Sequence, residues 1–479
     1  MLSFGLQIKA AEPTGKFRDI QSPFDGRTVG RVEIPDIAHQ ELALESAAQS
    51  FENIMKKMPA WKRAEILYRV ADFIKRDKEL LSQTIAAEGG KPVKDARIEV
   101  TRAANTVKMS GDEALSLNGQ QITMDRAGGS ENHIAFTIRQ GLGVVLAISA
   151  FNHPVNLICH QVATAFAAGN SVVVKPASQT PLSCMMVCRY FIEAGLDEGI
   201  INVLPISGSE TEKLIGDKRV RFVSFIGSAE VGWRIPKLVA PGTGYSLEHG
   251  GTAVAVVEST ADLDFAATSI VKGGFYHAGQ VCVSTQNVFV SAGIYPRLIE
   301  MIKEKASKLI TGDPNDDATD VGPIINAPEH SRILSQIREA VSMGAKCVLG
   351  GDAVHNTCIN PTILTDTNYN MAVMKSEVFG PVININKFDK LDDVIQMCNN
   401  TPFSFQNAIY TKNIDTALGF ARQIDSKAVI INDSTAFRVD WMPFGGSKES
   451  GFRVGGIKYS IEDVTEEKLI IIRMHDYDA

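Results

Sequence analysis

The residues of this chain best suited to chemistry are a thiol, a carboxylate and a side-chain amide. They are Cys282 in Gly279-Gln280-Val281-Cys282, Glu248 in Ser246-Leu247-Glu248-His249-Gly250-Gly251, and Asn152 in Phe151-Asn152-His153-Pro154. Together they supply what covalent acyl chemistry requires. A thiolate attacks an electrophilic carbon, an amide N–H stabilises the oxyanion that forms, and a carboxylate activates water to release the acyl group. Each also fits a plainer role. A lone cysteine is commonly a small buried hydrophobe, a Glu before two glycines is a turn carboxylate, and an Asn before His-Pro caps a turn or a helix.

A second group suggests a dinucleotide site, although no Gly-x-Gly-x-x-Gly follows a strand. Phe225-Ile226-Gly227-Ser228-Ala229 runs from a strand through a Gly-Ser turn into a helix. The free N–H groups and the dipole at such a helix start suit a pyrophosphate; a simple cap is the alternative for Ser228. Val173-Val174-Lys175-Pro176-Ala177-Ser178 puts Lys175 at the carboxyl end of a strand, where open α/β sheets bind ligands. His160, on the helix after Pro154, reads by residue type as a core histidine. Cys184 and Cys188 stand four apart with no matching His or Cys pair, so they are read as core and no metal site is expected.

These residues need a large scaffold. The chain has 479 residues, beyond the ~250–300 at which a single core stops growing, so two or more domains are expected. With 48 Lys and Arg against 55 Asp and Glu there is no basic stripe for nucleic acid. Apolar runs fall short of the ~20 residues of a membrane span, and the first residues lack a secretory signal. Seven cysteines form no disulfide framework, which suits a cytoplasmic protein. Residues 36–118 read mainly as helix, and 120–140 as a hairpin around Gly128-Gly129. Strands Val144–Ser149, Ser171–Lys175, Ile201–Leu204 and Phe222–Phe225 then alternate with helices Asn156–Ala168, Ser183–Ala194 and one from about Ala229. A second series follows Glu248: strand Ala253–Val257, a helix near Asp264–Tyr276, strand Asn287–Val290, helix Pro296–Leu309 and a buried strand Ala428–Asn432. The expected fold class is α/β, with two doubly wound parallel-sheet domains and a small β oligomerisation arm. The partition is dinucleotide-binding over 1–120 and 141–249, catalytic over 250–459, and arm over 121–140 and 460–479. The apolar Lys468–Arg473 reads as an edge strand that needs a partner, hence a dimer or tetramer.

Taken in order, the Asn152 motif, Lys175-Pro176-Ala177-Ser178-Gln179-Thr180-Pro181, Phe225-Ile226-Gly227-Ser228, the Glu248 motif, the Cys282 motif, Ser376-Glu377-Val378-Phe379-Gly380-Pro381 and Met442-Pro443-Phe444-Gly445-Gly446 resemble the motif set of the aldehyde dehydrogenase superfamily. The resemblance runs from about residue 20 to the C-terminus. It implies NAD(P)-dependent oxidation of a small aldehyde to the acid. Cys282 would form a thiohemiacetal and then a thioester, Asn152 and the Cys282 N–H would hold the oxyanion, and Glu248 would assist hydrolysis. Lys175 and Glu377 would hold the cofactor riboses, Gly227 and Ser228 the pyrophosphate, and Phe379 would pack by the nicotinamide.

Departures from the family pattern refine these expectations. Ser178 stands where many relatives carry a Glu that accepts from a ribose hydroxyl and repels a 2′-phosphate, so NADP is expected to be accepted or preferred. His160 and Tyr276 stand where members acting on succinate semialdehyde place Arg, so with Arg438 they are the expected substrate residues, and the missing cations argue against a dicarboxylate semialdehyde. Phe437-Arg438-Val439-Asp440-Trp441-Met442-Pro443 resembles members acting on lactaldehyde, glyceraldehyde 3-phosphate or phosphonoacetaldehyde. There Arg438 contacts an anionic tail or pairs with Asp440. His249 and His277 flank the Glu and Cys motifs, where they would tune those pKa values. Two rival readings are a CoA-acylating relative, disfavoured because Glu248 is present, and a non-catalytic descendant, disfavoured because Cys282, Asn152 and Lys175 all are.

Overall fold

Val144–Ile148 and Ser171–Lys175 are buried at every position, as parallel strands covered on both faces must be. The helix between them, Pro154–Ala167, is also buried throughout, so it lies inside the unit and not on its surface. The computed structural model describes residues 1–474; the last five residues of the expected arm lie outside the described residues. These strands belong to a six-stranded sheet. Its order in space is Gly451–Phe452, Gly244–Glu248, Val220–Ile226, Val144–Ile148, Ser171–Lys175 and Ile201–Val203. All neighbours are parallel except Gly451–Phe452, which runs antiparallel to the strand ending at Glu248.

A second sheet has seven strands, in the order Lys346–Leu349, Thr362–Thr365, Val382–Phe388, Asn287–Ser291, Val254–Val257, Gln406–Tyr410 and Ala428–Ile431. It is parallel apart from the first pair. The fold is therefore α/β with two parallel-sheet units. Its third part is an antiparallel sheet of Thr465–Arg473, His133–Gly141 and Gln121–Ile122. No helix among the described residues is long and apolar enough to cross a membrane.

Three details differ from the sequence reading. Ala428–Ile431 is the outermost strand of its sheet and only half-buried, because it has a neighbour on one side alone. The helix at Ala229 stops after four residues, at Gly232, so it carries little of a macrodipole. Residues 451–463, of which 451–459 are assigned above to the second unit and 460–463 to the arm, return to the first. Gly451–Phe452 extends its sheet, and Ile457 and Ile461 enter its core.

Candidate active site

Four adjacent parallel strands deliver functional residues at one edge of the first sheet. Glu248 ends its strand, Gly227 follows the next, Asn152 follows Val144–Ile148, and Lys175 ends the fourth. Their ends are in register, with Glu248 opposite Ile226 and Ile148 opposite Lys175. Cys282 reaches the same edge from the second unit. Its loop leaves the helix Leu263–Phe275 through His277 and Ala278, both left-handed at φ 48° and 53°. Such conformations cost about 1–2 kcal/mol per non-glycine residue and persist only where the surroundings enforce them. Gln280 does much of that. Its Nε2 donates to the Pro323 carbonyl (3.2 Å), its Oε1 accepts from Ile325 N–H (3.0 Å), and its own carbonyl accepts from Asn152 Nδ2 (3.0 Å). Asn152 is thereby pinned against the nucleophile loop, with one amide N–H left uncommitted.

Cys282 is half-buried beside Val281, Val283, Phe405 and Phe444. Burial, and then the charge of Glu248, push its thiol well above the usual range, so it rests protonated. Burial also raises Glu248, and Arg438 partly offsets that shift, its Nη1 lying 3.8 Å from Oε1. The Arg438 guanidinium stacks on the Phe444 ring at 3.7 Å.

Cys282, Glu248, Asn152, Lys175, Gly227 and Arg438 line one cavity of about 1690 Å³. Single-ligand pockets are commonly ~300–1,000 Å³, so this one has room for a dinucleotide and a small second molecule. Lys175 lies in it with its ammonium lowered to about 8 by burial and by Arg18, and no carboxylate within 4 Å among the described residues. Glu377 lies in it with its carboxyl raised to about 8 by burial and with Oε1 unpartnered. A Cβ on Gly250 would come 1.6 Å from that oxygen, so only glycine allows the approach. An unpaired ammonium and an orphaned carboxylate oxygen are groups that ribose hydroxyls would satisfy, and the cavity fits a dinucleotide. Ser178, Gly227 and Ser228 also line it. Phe379, left-handed at φ 49°, meets Phe151 edge-on at 5.8 Å.

The three residues expected at the substrate, His160, Tyr276 and Arg438, separate. Arg438 and Tyr276 line the cavity, but His160 does not. Its Nε2 is bonded to Asp440 (2.9 Å), which also accepts from Arg102 (2.8 and 3.1 Å) and Asn156 Nδ2 (2.9 Å). Asp440 is thus the partner of Arg102, not of Arg438. Burial would raise its carboxyl, but His160 and Arg102 hold it well below the usual carboxylate range. Arg102 itself lines the cavity, as does His153, whose Nε2 lies 3.4 Å from the Tyr276 hydroxyl. The sequence reading missed Gln280, Arg102 and His153. Gln280 sits inside a motif already singled out; Arg102 shares the spacing of Asp95 and Ile98 on one face of a helix, which is a weak signal.

His249 and His277 are held neutral by burial. His249 Nδ1 donates to the Glu449 carbonyl (2.8 Å), and its ring packs against Trp233 and Phe225. Both ring nitrogens of His277 are buried without partners, and nothing in the structure explains them.

Comparison with known proteins points the same way as this geometry. Residues 10–470 match the aldehyde dehydrogenase family. A 3-sulfolactaldehyde dehydrogenase of Priestia megaterium is 37% identical over 476 residues, covering 98% of each chain. A lactaldehyde dehydrogenase of Methanocaldococcus jannaschii is 35% identical over 465 residues, covering 95% of this chain and 97% of its own. The NADP-dependent glyceraldehyde-3-phosphate dehydrogenase of Bacillus halodurans, solved with NADP, superposes with a TM-score of 0.95. It is 33% identical and is covered over 100% of its length by 99% of this chain.

Proposed function

The chain belongs to the aldehyde dehydrogenase family, and we propose that it oxidises a small aldehyde with an anionic tail to the carboxylic acid, accepting NADP at least as well as NAD. The observation that carries this reading is the convergence of Cys282, Glu248 and Asn152 on one cavity that also holds the unpaired Lys175 and Glu377.

Each residue has a definite task. Cys282, once deprotonated, attacks the aldehyde carbon, and the uncommitted Asn152 N–H with the Cys282 backbone N–H holds the oxyanion. One such donor is commonly worth about 3–4 kcal/mol. Bound NAD(P), with Lys175 and Glu377 at its riboses and Gly227-Ser228 at its pyrophosphate, supplies the hydride acceptor that the side chains lack. Cys282 is left carrying a thioester. Glu248 takes a proton from water, hydroxide adds to the acyl carbon, and the carbon–sulfur bond breaks as that proton returns to the departing sulfur, releasing acid and thiol. A base with its pKa raised by burial suits that task.

Two features support the substrate and cofactor choice. Arg438, whose carboxylate neighbour Glu248 lies 3.8 Å away, puts a cation on the wall of the cavity, and substrates named for two relatives, 3-sulfolactaldehyde and glyceraldehyde 3-phosphate, are small aldehydes with an anionic group. Ser178 beside Lys175 offers a 2′-phosphate no like charge. Reduced cofactor formed across a panel of neutral and anionic small aldehydes, with Cys282→Ala as control, is the test. Neutral aldehydes outperforming anionic ones would remove the substrate assignment, a specificity constant strongly favouring NAD would remove the cofactor preference, and thioester release only to CoA would remove hydrolysis. Self-association as a dimer or tetramer through the three-stranded arm is supported by Leu469 and Ile471, more than half exposed on an edge strand. Light scattering of a Leu469→Lys, Ile471→Lys variant is expected to show dissociation; an unchanged mass would remove the arm from the interface.

A further inference from the structure

Beside Glu248 lies a second and much smaller space of about 50 Å³, which Lys175 does not line. Glu248 and Arg438 line both spaces and so form part of the wall between them. In that wall the carboxylate faces Arg438, itself fixed by stacking on Phe444. Gly455 lies close by, where a Cβ would come 3.5 Å from Glu248 Oε2. Arg438 has no other carboxylate within 4 Å among the described residues.

The small chamber is polar where it counts. His160 is 6% exposed and Gln161 4%, and both line it. The bond from His160 Nε2 to Asp440 makes that nitrogen the donor and leaves Nδ1 an acceptor, which has no partner. Gln161 spends its amide hydrogens on the carbonyls of Ile148 and Ser224 and the Ser224 hydroxyl, while its Oε1 has no partner. Two buried acceptors without donors around a space larger than the ~10–15 Å³ a water needs are the mark of ordered water. Ser246, two residues before Glu248 on the same face of the strand, also lines the chamber.

We propose that this chamber stores the hydrolytic water and that Arg438 is a positioning residue that holds Glu248 at its mouth, so that water reaches the thioester from behind the base and not from the substrate side. The inference rests on the thioester reading above. The charged and titratable groups around Glu248 are Arg438, the thiol of Cys282 on the substrate cavity, and on the chamber His160 with the mutually paired Arg453 and Asp463. With Asp463 paired and His160 neutral, burial raises the base and Arg438 is the charge that opposes that rise.

Hydrolysis of p-nitrophenyl acetate tests this without any dinucleotide. Cys282 attacks the ester and releases p-nitrophenol in a burst, and water then cleaves the acetyl thioester in the steady state. Ser246→Val, which fills the chamber with methyl groups, is expected to keep the burst while steady-state turnover falls at least about tenfold. Arg438→Met is expected to keep the burst, slow the steady state and move the limb that reports Glu248 deprotonation to higher pH, because the cation that favours the carboxylate is gone; Arg438→Lys restores the limb. Unchanged steady-state turnover in a folded Ser246→Val protein would overturn the chamber as the water source. Burst and steady state falling together in Arg438→Met, with the pH limb unmoved, would reduce Arg438 to a structural contact. No burst from the wild-type protein would instead bring down the thioester reading itself.

Discussion

Two sets of ionisable groups sit close together in this molecule and are treated in opposite ways. Around Asp440 every charge is answered, with Arg102, His160 and Asn156 converging on one carboxylate whose pKa is driven down. Around Cys282 little is answered: the thiol, Glu248 and Glu377 are all pushed up by burial, and Lys175 is pushed down. Both sets are expensive to bury. The difference is that the first is closed by the protein and the second is left open for ligands. Perturbed pKa values alone do not distinguish them, since both sets are strongly shifted; the direction of the shift and the missing partner do.

That contrast can be broken experimentally. Cys282→Ala should lower aldehyde oxidation by about 10⁴-fold or more while leaving dinucleotide binding and melting temperature nearly unchanged, as loss of a nucleophile does. Asp440→Ala should do the reverse, destabilising the fold by about 3–5 kcal/mol in urea titration because Arg102 and His160 are left uncompensated. The contribution of Asp440 has a definite sign with pH. Its folded pKa is depressed, so its stabilisation is present at neutral pH and is lost as acid protonates the carboxyl below the ordinary carboxylate range. A loss below about 1 kcal/mol in the alanine variant would mean that the closed set is not structural. Asn152→Ala should lower kcat by about 10²–10³-fold with little change in stability.

The smallest effect sharpens the comparison most. Glu377→Gln removes a carboxyl whose folded pKa is raised to about 8. Such a group costs stability progressively as pH rises from the unfolded carboxylate value toward 8, because the folded state must either keep a proton or bury a charge. The variant is expected to gain about 0.5–2 kcal/mol near pH 8 while binding dinucleotide more weakly in a fluorescence titration. A destabilised variant would place Glu377 with the closed set.

Much of this site was legible in the sequence because its parts lie in short motifs at strand ends, where local pattern predicts both element and exposure. The strand ending at Lys175, the hairpin at 120–140 and the terminal edge strand all followed from apolar runs and turn residues, whereas the half-buried strand Gly244–Glu248 has no apolar run to announce it. What pattern alone does not fix is partnership across long separations. His160 looked like a substrate contact because the carboxylate that engages it lies 280 residues away. Arg438 and Asp440, two apart in sequence, looked like a pair, yet Arg102, 338 residues from Asp440, takes that place. The pinning of Asn152 by Gln280 belongs to the same class, since it joins residues 128 apart.

The return of the chain after residue 450 has a consequence for how the protein is made. The strand carrying Glu248 is covered on one side by Val220–Ile226 and on the other only by Gly451–Phe452. At typical synthesis rates of ~5–20 residues per second, the ribosome delivers that cover roughly 10–40 s after the base itself. His133–Gly141 waits longer still for Thr465–Arg473. For that interval the nascent chain displays two open strand edges, so a chain stalled or truncated before residue 451 exposes pairing surfaces that the finished protein hides.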